Sequence, residues 1–157
     1  MFAARARLAA SLVGRRFYAT EAPSSGKLIV NLTVPHQVIL GKYEAKQVNL
    51  ASSEGDMGIL ANHVPTIAQL RPGVLEVFGA DKTTKFFVSG GFAVINPDSS
   101  LNINAIEAVS LSDLDFEAAK RGAEDATKRL SVGSEEDKVT AKIELELFEA
   151  VVAAAKH

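Results

Sequence analysis

The residue types able to do chemistry gather most densely at positions 54–77, EGDMGILANHVPTIAQLRPGVLEV, where Glu54 and Asp56 precede His63 by only a few residues. Carboxylate and imidazole side chains are the usual partners in general acid–base work, which requires them within hydrogen-bond reach of one reacting group. No second acid or base stands at a spacing that completes such a pair. A catalytic reading of this stretch therefore fails, and His63 near Pro65 reads as a structural loop residue.

Other catalytic patterns fail in the same way. Gly41-Lys42 lacks the earlier glycine and the following hydroxyl residue of a phosphate-binding loop. Gly90-Gly91 lies between two strand-like runs and opens no helix, so both glycine features read as turns. His36, His63 and His157 have no metal-ligand spacing, and no His-x-x-x-His accompanies them. No serine sits in a nucleophile elbow. With no cysteine, thiol nucleophiles, zinc thiolates and disulfides drop out together. No cofactor and no metal is expected.

The same stretch holds Gly55, Gly58, Gly73, Pro65 and Pro72 among apolar residues. Glycine reaches backbone angles closed to other residues and proline fixes one, so this density predicts a sharply shaped loop system in place of a straight strand. Gly90 and Gly91 shape a second such corner. Around them lie short strand patterns. The run 27–34 alternates, with Leu28, Val30, Leu32 and Val34 on one side and Asn31 and Thr33 on the other. Similar runs follow at 38–40, 46–50, 74–78, 85–89, 92–95 and 101–105, separated by turn residues such as Pro72-Gly73 and Asn96-Pro97-Asp98. The pattern predicts an antiparallel β-sandwich over 27–109.

Beyond 109 the period becomes helical. Ser112, with Asp115 three residues on, predicts an N-cap, and Leu111 with Phe116 a staple around it. A narrow stripe of Phe116, Ala119, Ala123, Ala126 and Leu130 would admit a close second helix. Ser134 with Asp137 repeats the capping-box spacing and starts that helix at about 135–155. The chain is thus expected to be α+β, an N-terminal antiparallel β-sandwich followed by a C-terminal antiparallel two-helix hairpin at 110–157.

The second helix has two apolar stripes. Val139, Ile143, Leu147, Ala150, Val151 and Ala154 would meet the first helix. Ala141, Leu145, Phe148, Val152 and Ala155 would be left for the sandwich or another protein. Leu145, Phe148 and Val152 are the residues named for that partner or interdomain face. Charges four apart, Glu117 with Arg121, Glu124 with Lys128 and Asp125 with Arg129, read as solvated helix support.

At 157 residues with 47% apolar composition, the chain can bury a core. No apolar run approaches the roughly 18 residues of a spanning helix, so direct membrane insertion is not expected. Residues 1–18 hold Arg5, Arg7, Arg15 and Arg16 and no acid, a mitochondrial transit-peptide pattern with cleavage expected near Tyr18. A flexible tail at 19–26 follows. Without those four arginines, 13 basic residues stand against 19 acidic ones, a charge of −6 that gives nucleic acid no footprint.

Three separated blocks carry a resemblance: Glu54-Gly55-Asp56-Met57-Gly58-Ile59-Leu60, then Asn62-His63-Val64-Pro65, then Leu70-Arg71-Pro72-Gly73-Val74-Leu75. In this order, and with Phe87-Val88-Ser89-Gly90-Gly91-Phe92 after them, they resemble the delta subunit family of mitochondrial F-type ATP synthase, counterpart of the bacterial and chloroplast epsilon subunit. The resemblance runs from about Leu28 to the C-terminus. It implies a non-catalytic central-stalk, or rotor, subunit coupling the membrane c ring to the gamma subunit in a proton-driven ATP synthase. The implied partners are the gamma subunit, the small mitochondrial epsilon subunit and the c-subunit ring. The implied location is peripheral, on the matrix side of the mitochondrial inner membrane. Carried over from the family, Asp56 and His63, joined by Glu54, are the candidates for contact with the c ring. The alternative is a nucleotide-sensing regulator acting through the hairpin. Some bacterial relatives bind ATP there through a motif with an aliphatic-Asp start and an Arg-Ala end, from which 116–122 departs, notably with Gly122 in place of alanine.

Overall fold

The structure, a computed structural model, describes residues 26–156. The expected transit peptide at 1–18, and all of the tail except Gly26, lie outside the described residues.

Ten strands alternate along the chain: β1 Leu28–Val34, β2 Gln37–Ala45, β3 Gln47–Ser52, β4 Gly55–Leu60, β5 Thr66–Leu70, β6 Gly73–Phe78, β7 Thr83–Val88, β8 Gly91–Ile95, β9 Ser100–Ala105 and β10 Ala108–Ser110. They form one curled sheet in the order β10-β7-β6-β3-β5-β8-β9-β1-β2, with β4 attached to β3. The sheet turns over at β3, which pairs with β6 through residues 47–49 and with β5 at Ser52. That corner gives two layers. Every pairing is antiparallel except β1 with β9, which run parallel. β1 keeps strict alternation, and Leu28, Val30 and Leu32 are fully buried between the layers with Val48, Ile59, Val77, Leu101 and Ile103. Each such side chain contributes roughly 1.5–3 kcal/mol by leaving water.

The stretch 54–77 differs from the loop system expected of it. Besides the expected strand at its end, β6, it contains two more, β4 and β5, because Gly55 turns the chain at φ 131° and Met57 and Ile59 then alternate inward opposite Leu50 and Val48. Glycine density marked the turn at one end of β4 and concealed the strand after it. β10, a three-residue strand against β7, had no pattern long enough to read.

A short 3-10 helix, Leu111–Asp113, leads to α1 Phe116–Val132 and α2 Glu135–Ala154. The cap expected at Ser112 belongs to Asp115, whose carboxylate accepts the Ala118 N–H at 2.9 Å. Ser112 instead bonds Ser110 and Asp113 within the 3-10 turn. The Ser134–Asp137 capping box forms as expected. Of the expected helix charge pairs, none forms four residues apart. Lys120 meets Glu117 and Lys128 meets Asp125 three residues apart, and Arg129 crosses the hairpin to Glu144.

The stripes of α2 are the main correction. Val139 and Ile143, expected against α1, are 63% and 66% exposed. Of the other stripe, Ala141 is fully buried and Leu145 half-buried, while Phe148 and Val152 pack into the cluster of Phe87, Ala119, Val151 and Ala154 that joins the hairpin to the sandwich, with Phe148 also seated against α1. Gly122 makes that seat: a Cβ there would lie 2.7 Å from the Phe148 ring, so the ring takes the space of the absent side chain. Leu147, Ala150, Val151 and Ala154 turn to the sandwich and cluster with Val74 and Phe87.

Candidate functional site

The register of β3 and β4 decides how the named binding residues relate. Gly55 pairs with Ser52 and Leu60 with Gln47, so β4 separates its two flanking loops by its whole length. At about 3.3 Å per residue, Asp56 lies about 13 Å from Leu60, and His63 lies beyond it. Glu54 and Asp56 thus stand at one end of the sandwich and His63 at the other. Only a surface running along β4 could touch all three.

At the first end, Ser52 is 2% exposed and its hydroxyl donates to the Gly55 carbonyl at 2.7 Å while accepting the Glu54 N–H. Asp56 is not a bare carboxylate. Arg71 donates to it at 2.8 Å and, through Nε, to the Ser52 carbonyl at 3.2 Å. The Asp56 side chain remains 82% exposed, so the pair adds at most about 1 kcal/mol to stability. What this end presents is a carboxylate beside a guanidinium, able to accept and donate at once. Sequence reasoning did not single out Arg71. The signal was its place in the Leu70-Arg71-Pro72-Gly73 block, which returns the chain to the Asp56 turn.

At the second end, His63 is half-buried and its Nδ1 donates to the Val64 carbonyl at 2.8 Å. A carbonyl only accepts, so Nδ1 carries the proton of that bond and Nε2 is turned away from it. The turn between β8 and β9 lies at this end. There Asp98 accepts the Ser100 hydroxyl and N–H, which hold its carboxyl below the usual range.

The shaping residues fall where turns need them, except Gly58, expected to shape a loop, which lies in a strand. Pro65 precedes β5, Pro72 and Gly73 lead into β6, and Gly58 sits within β4 opposite Asn49. Gly90 and Gly91 both hold positive φ at the entry to β8. At Gly91 the need is steric, since a Cβ would run into the Asn104 carbonyl across the β8–β9 ladder.

The two outer faces of the sandwich differ. The hairpin covers part of the β6–β7 face through Val74 and Phe87. The opposite face, on β5, β8, β9 and β1, carries Ile67, Gln69, Phe92, Val94, Asn102, Asn104, Asn31 and Thr33 by register. None of these is ionisable. Ile67 is 75% and Phe92 54% exposed, and beside them Asn31 donates to Asn102 at 2.8 Å and Thr33 to Asn104 at 2.8 Å. Solvent-facing strands ordinarily carry charge, so an uncharged apolar and amide face marks a contact surface. The signal in the sequence was neutral residues at the outward positions of four strands.

Two cavities of about 450 and 460 Å3 lie where the hairpin meets the sandwich. One is lined by Asp56, Arg71, Glu76 and the alanines of the α2 C-terminal turn, the other by Phe87, Val109, Leu114, Leu147 and Phe148 with Glu107 at its rim. Neither brings a nucleophile to a base. Among the described residues no group of three His, Asp or Glu side chains could hold a metal ion, and no helix is long and apolar enough to cross a membrane.

Comparison with known proteins agrees with this architecture. The sequence model of the family described as ATP synthase, Delta/Epsilon chain, beta-sandwich domain matches residues 27–110. The mitochondrial ATP synthase subunit delta of Yarrowia lipolytica is 47% identical over 145 residues, covering 92% of this chain and 89% of that protein. The mitochondrial ATP synthase F(1) complex subunit delta of Dictyostelium discoideum is 42% identical over 138 residues, covering 86% and 81%. Among solved structures, a chain of the Euglena gracilis mitochondrial ATP synthase, OSCP/F1/c-ring in rotational state 1, superposes with a TM-score of 0.81 at 33% identity, over 89% of this chain and 88% of that one. With the family model matching more than half of its length and these relatives 47% and 42% identical along most of it, the chain belongs to the delta/epsilon chain family of ATP synthase and is a non-catalytic stalk subunit of that complex.

Proposed function

We propose that this chain is a rotor part that couples the c ring to the gamma subunit, and that it does so through separate surfaces on one rigid sandwich. The observation that carries this reading is the uncharged outer face around Ile67 and Phe92, on the layer that the hairpin leaves free. A partner on that face buries apolar area and meets the Asn and Thr ladder with its own polar groups. The gamma subunit is assigned there. Torque spread over such a face does not depend on any single ion pair, each of which is weak at a surface.

The end bearing Glu54, Asp56 and Arg71 and, along the free edge of β4, the His63 end are both assigned to polar loops of the c ring. The exposed Val139 and Ile143, continuous with the stripe that already packs on the sandwich, are assigned to the mitochondrial epsilon subunit. The Euglena relative was solved in a complex with F1 and a c ring, which supports this placement. The location that follows is peripheral, on the matrix side of the inner membrane. A nucleotide-sensing hairpin has less support, because the segment around Gly122 is filled by Phe148.

Cysteine cross-linking in intact membranes tests the assignment. Asp56→Cys is expected to cross-link to a c-subunit loop and Phe92→Cys to gamma. Exchange of those two products, or neither appearing, overturns it.

A further inference from the structure

At the His63 end, two residues that are not glycine adopt left-handed backbone angles and bond to each other. Asn62 has φ 62° and Ser99 φ 61°, although they lie in different loops 37 residues apart. The Asn62 N–H donates to Ser99 Oγ at 3.0 Å, and that hydroxyl donates back to the Asn62 side-chain carbonyl at 3.4 Å. Ser99 is 2% exposed, and its own carbonyl accepts the Ile29 N–H at 3.0 Å, at the start of β1. One buried serine therefore joins three elements: its hydroxyl holds the β4–β5 loop to the β8–β9 turn, and its carbonyl holds that turn to the first core strand.

Local turn chemistry does not call for serine here. A left-handed position favours glycine, with asparagine next, and a serine there is held against its own preference. What serine adds is the hydroxyl, which satisfies a main-chain donor in a loop that has few other anchors. The loop's other hydrogen bonds stay within 60–66: the His63 N–H donates to the Leu60 carbonyl at 3.3 Å, and the Val64 carbonyl accepts His63 Nδ1 and the Thr66 hydroxyl. We infer that Ser99 is a positioning residue that locks the His63 loop to the sandwich, so that His63 Nε2 and the 69% exposed Val64 meet the c ring pre-ordered. The inference rests on the docking reading above. A loop that carries load between subunits must not yield before its partner does, and pre-ordering also removes the entropy cost of fixing it on contact.

The test uses the full chain and the assembled complex. Ser99→Gly relieves the backbone strain and removes the hydroxyl. Asn62→Gly keeps both the angle and the N–H that meets Ser99, and serves as the conservative control. In the isolated chain, Ser99→Gly should speed amide exchange at Asn62 and His63 about tenfold while β1 and β9 keep their protection, and Asn62→Gly should exchange as the parent does. In complexes carrying a cysteine at Val64, the cross-link to a c-subunit loop should weaken with Ser99→Gly and persist with Asn62→Gly. Unchanged exchange in Ser99→Gly overturns the lock itself. Faster exchange with an undiminished cross-link overturns the positioning role. If the Val64 cysteine cross-links to no c-subunit loop with Ser99 intact, the docking role of this loop fails and the inference falls with it, while the exchange data still report on the lock.

Discussion

Replacing Ile67 and Phe92 together by aspartate separates folding from docking, because both side chains already stand largely in solvent. Ile67 is 75% and Phe92 54% exposed. Full burial of such a side chain is worth about 1.5–3 kcal/mol, so the area still open is worth roughly 1–2 kcal/mol at Ile67 and roughly 1–1.5 kcal/mol at Phe92. Docking that covers both would lose roughly 2–4 kcal/mol, or about 30- to 700-fold in affinity at 1.4 kcal/mol per decade. Two carboxylates desolvated at the interface would add to that loss. The fold itself should lose only about 1 kcal/mol per site, the scale of a strand-propensity change on an exposed face. The assay has two parts: thermal unfolding of the purified variant, and its recovery in ATP synthase isolated from cells that express it as the sole copy. A folded variant recovered in the complex at the parental level would refute the reasoning, because the face would then bury nothing.

Gly91→Ala should cost about 2–4 kcal/mol, since its Cβ meets the Asn104 carbonyl at a backbone angle that resists a side chain, and denaturant unfolding measures it. Gly122→Val should displace Phe148 and cost about 1–3 kcal/mol, loosening the hairpin while the sandwich amides keep their exchange protection. For Asp137, the Ser134 hydroxyl, then its N–H, hold the carboxyl below its ordinary value of 3.8. The folded form therefore binds a proton less readily than the unfolded chain. The cap's contribution is full above that ordinary value and fades as pH falls through the lower folded one. Helicity followed by circular dichroism should decline through that acid window in the parent, and Asp137→Asn should remove that part of the decline.

The sandwich was legible because its strands obey period two. The alternation from Leu28 to Val34 is the burial pattern of β1, residue for residue. The second cap was equally plain, since Ser134 and Asp137 act over three residues with no help from the rest of the chain. The first cap was misplaced because Ser112 and Asp115 both fit the local rule, and only the 3-10 turn decides between them. The two faces of α2 were hard to tell apart for a tertiary reason. Its two stripes are both apolar, and the choice is made by Gly122, whose missing side chain on the other helix accepts Phe148.

Asp56 and His63 looked like one site because seven residues separate them in sequence. A strand between them makes that separation a length, and Arg71 arrives beside Asp56 only after the chain has run back along β5. The uncharged face was likewise spread over four strands, so its neutral residues were visible one by one and their union was not.

The most direct test of the account is a map of the assembled ATP synthase with side chains resolved around this chain. The account predicts Ile67 and Phe92 buried against gamma and the Glu54–Asp56–Arg71 end turned to the c ring. A map with that face open to solvent, and with contact to gamma made elsewhere on the chain, would contradict it.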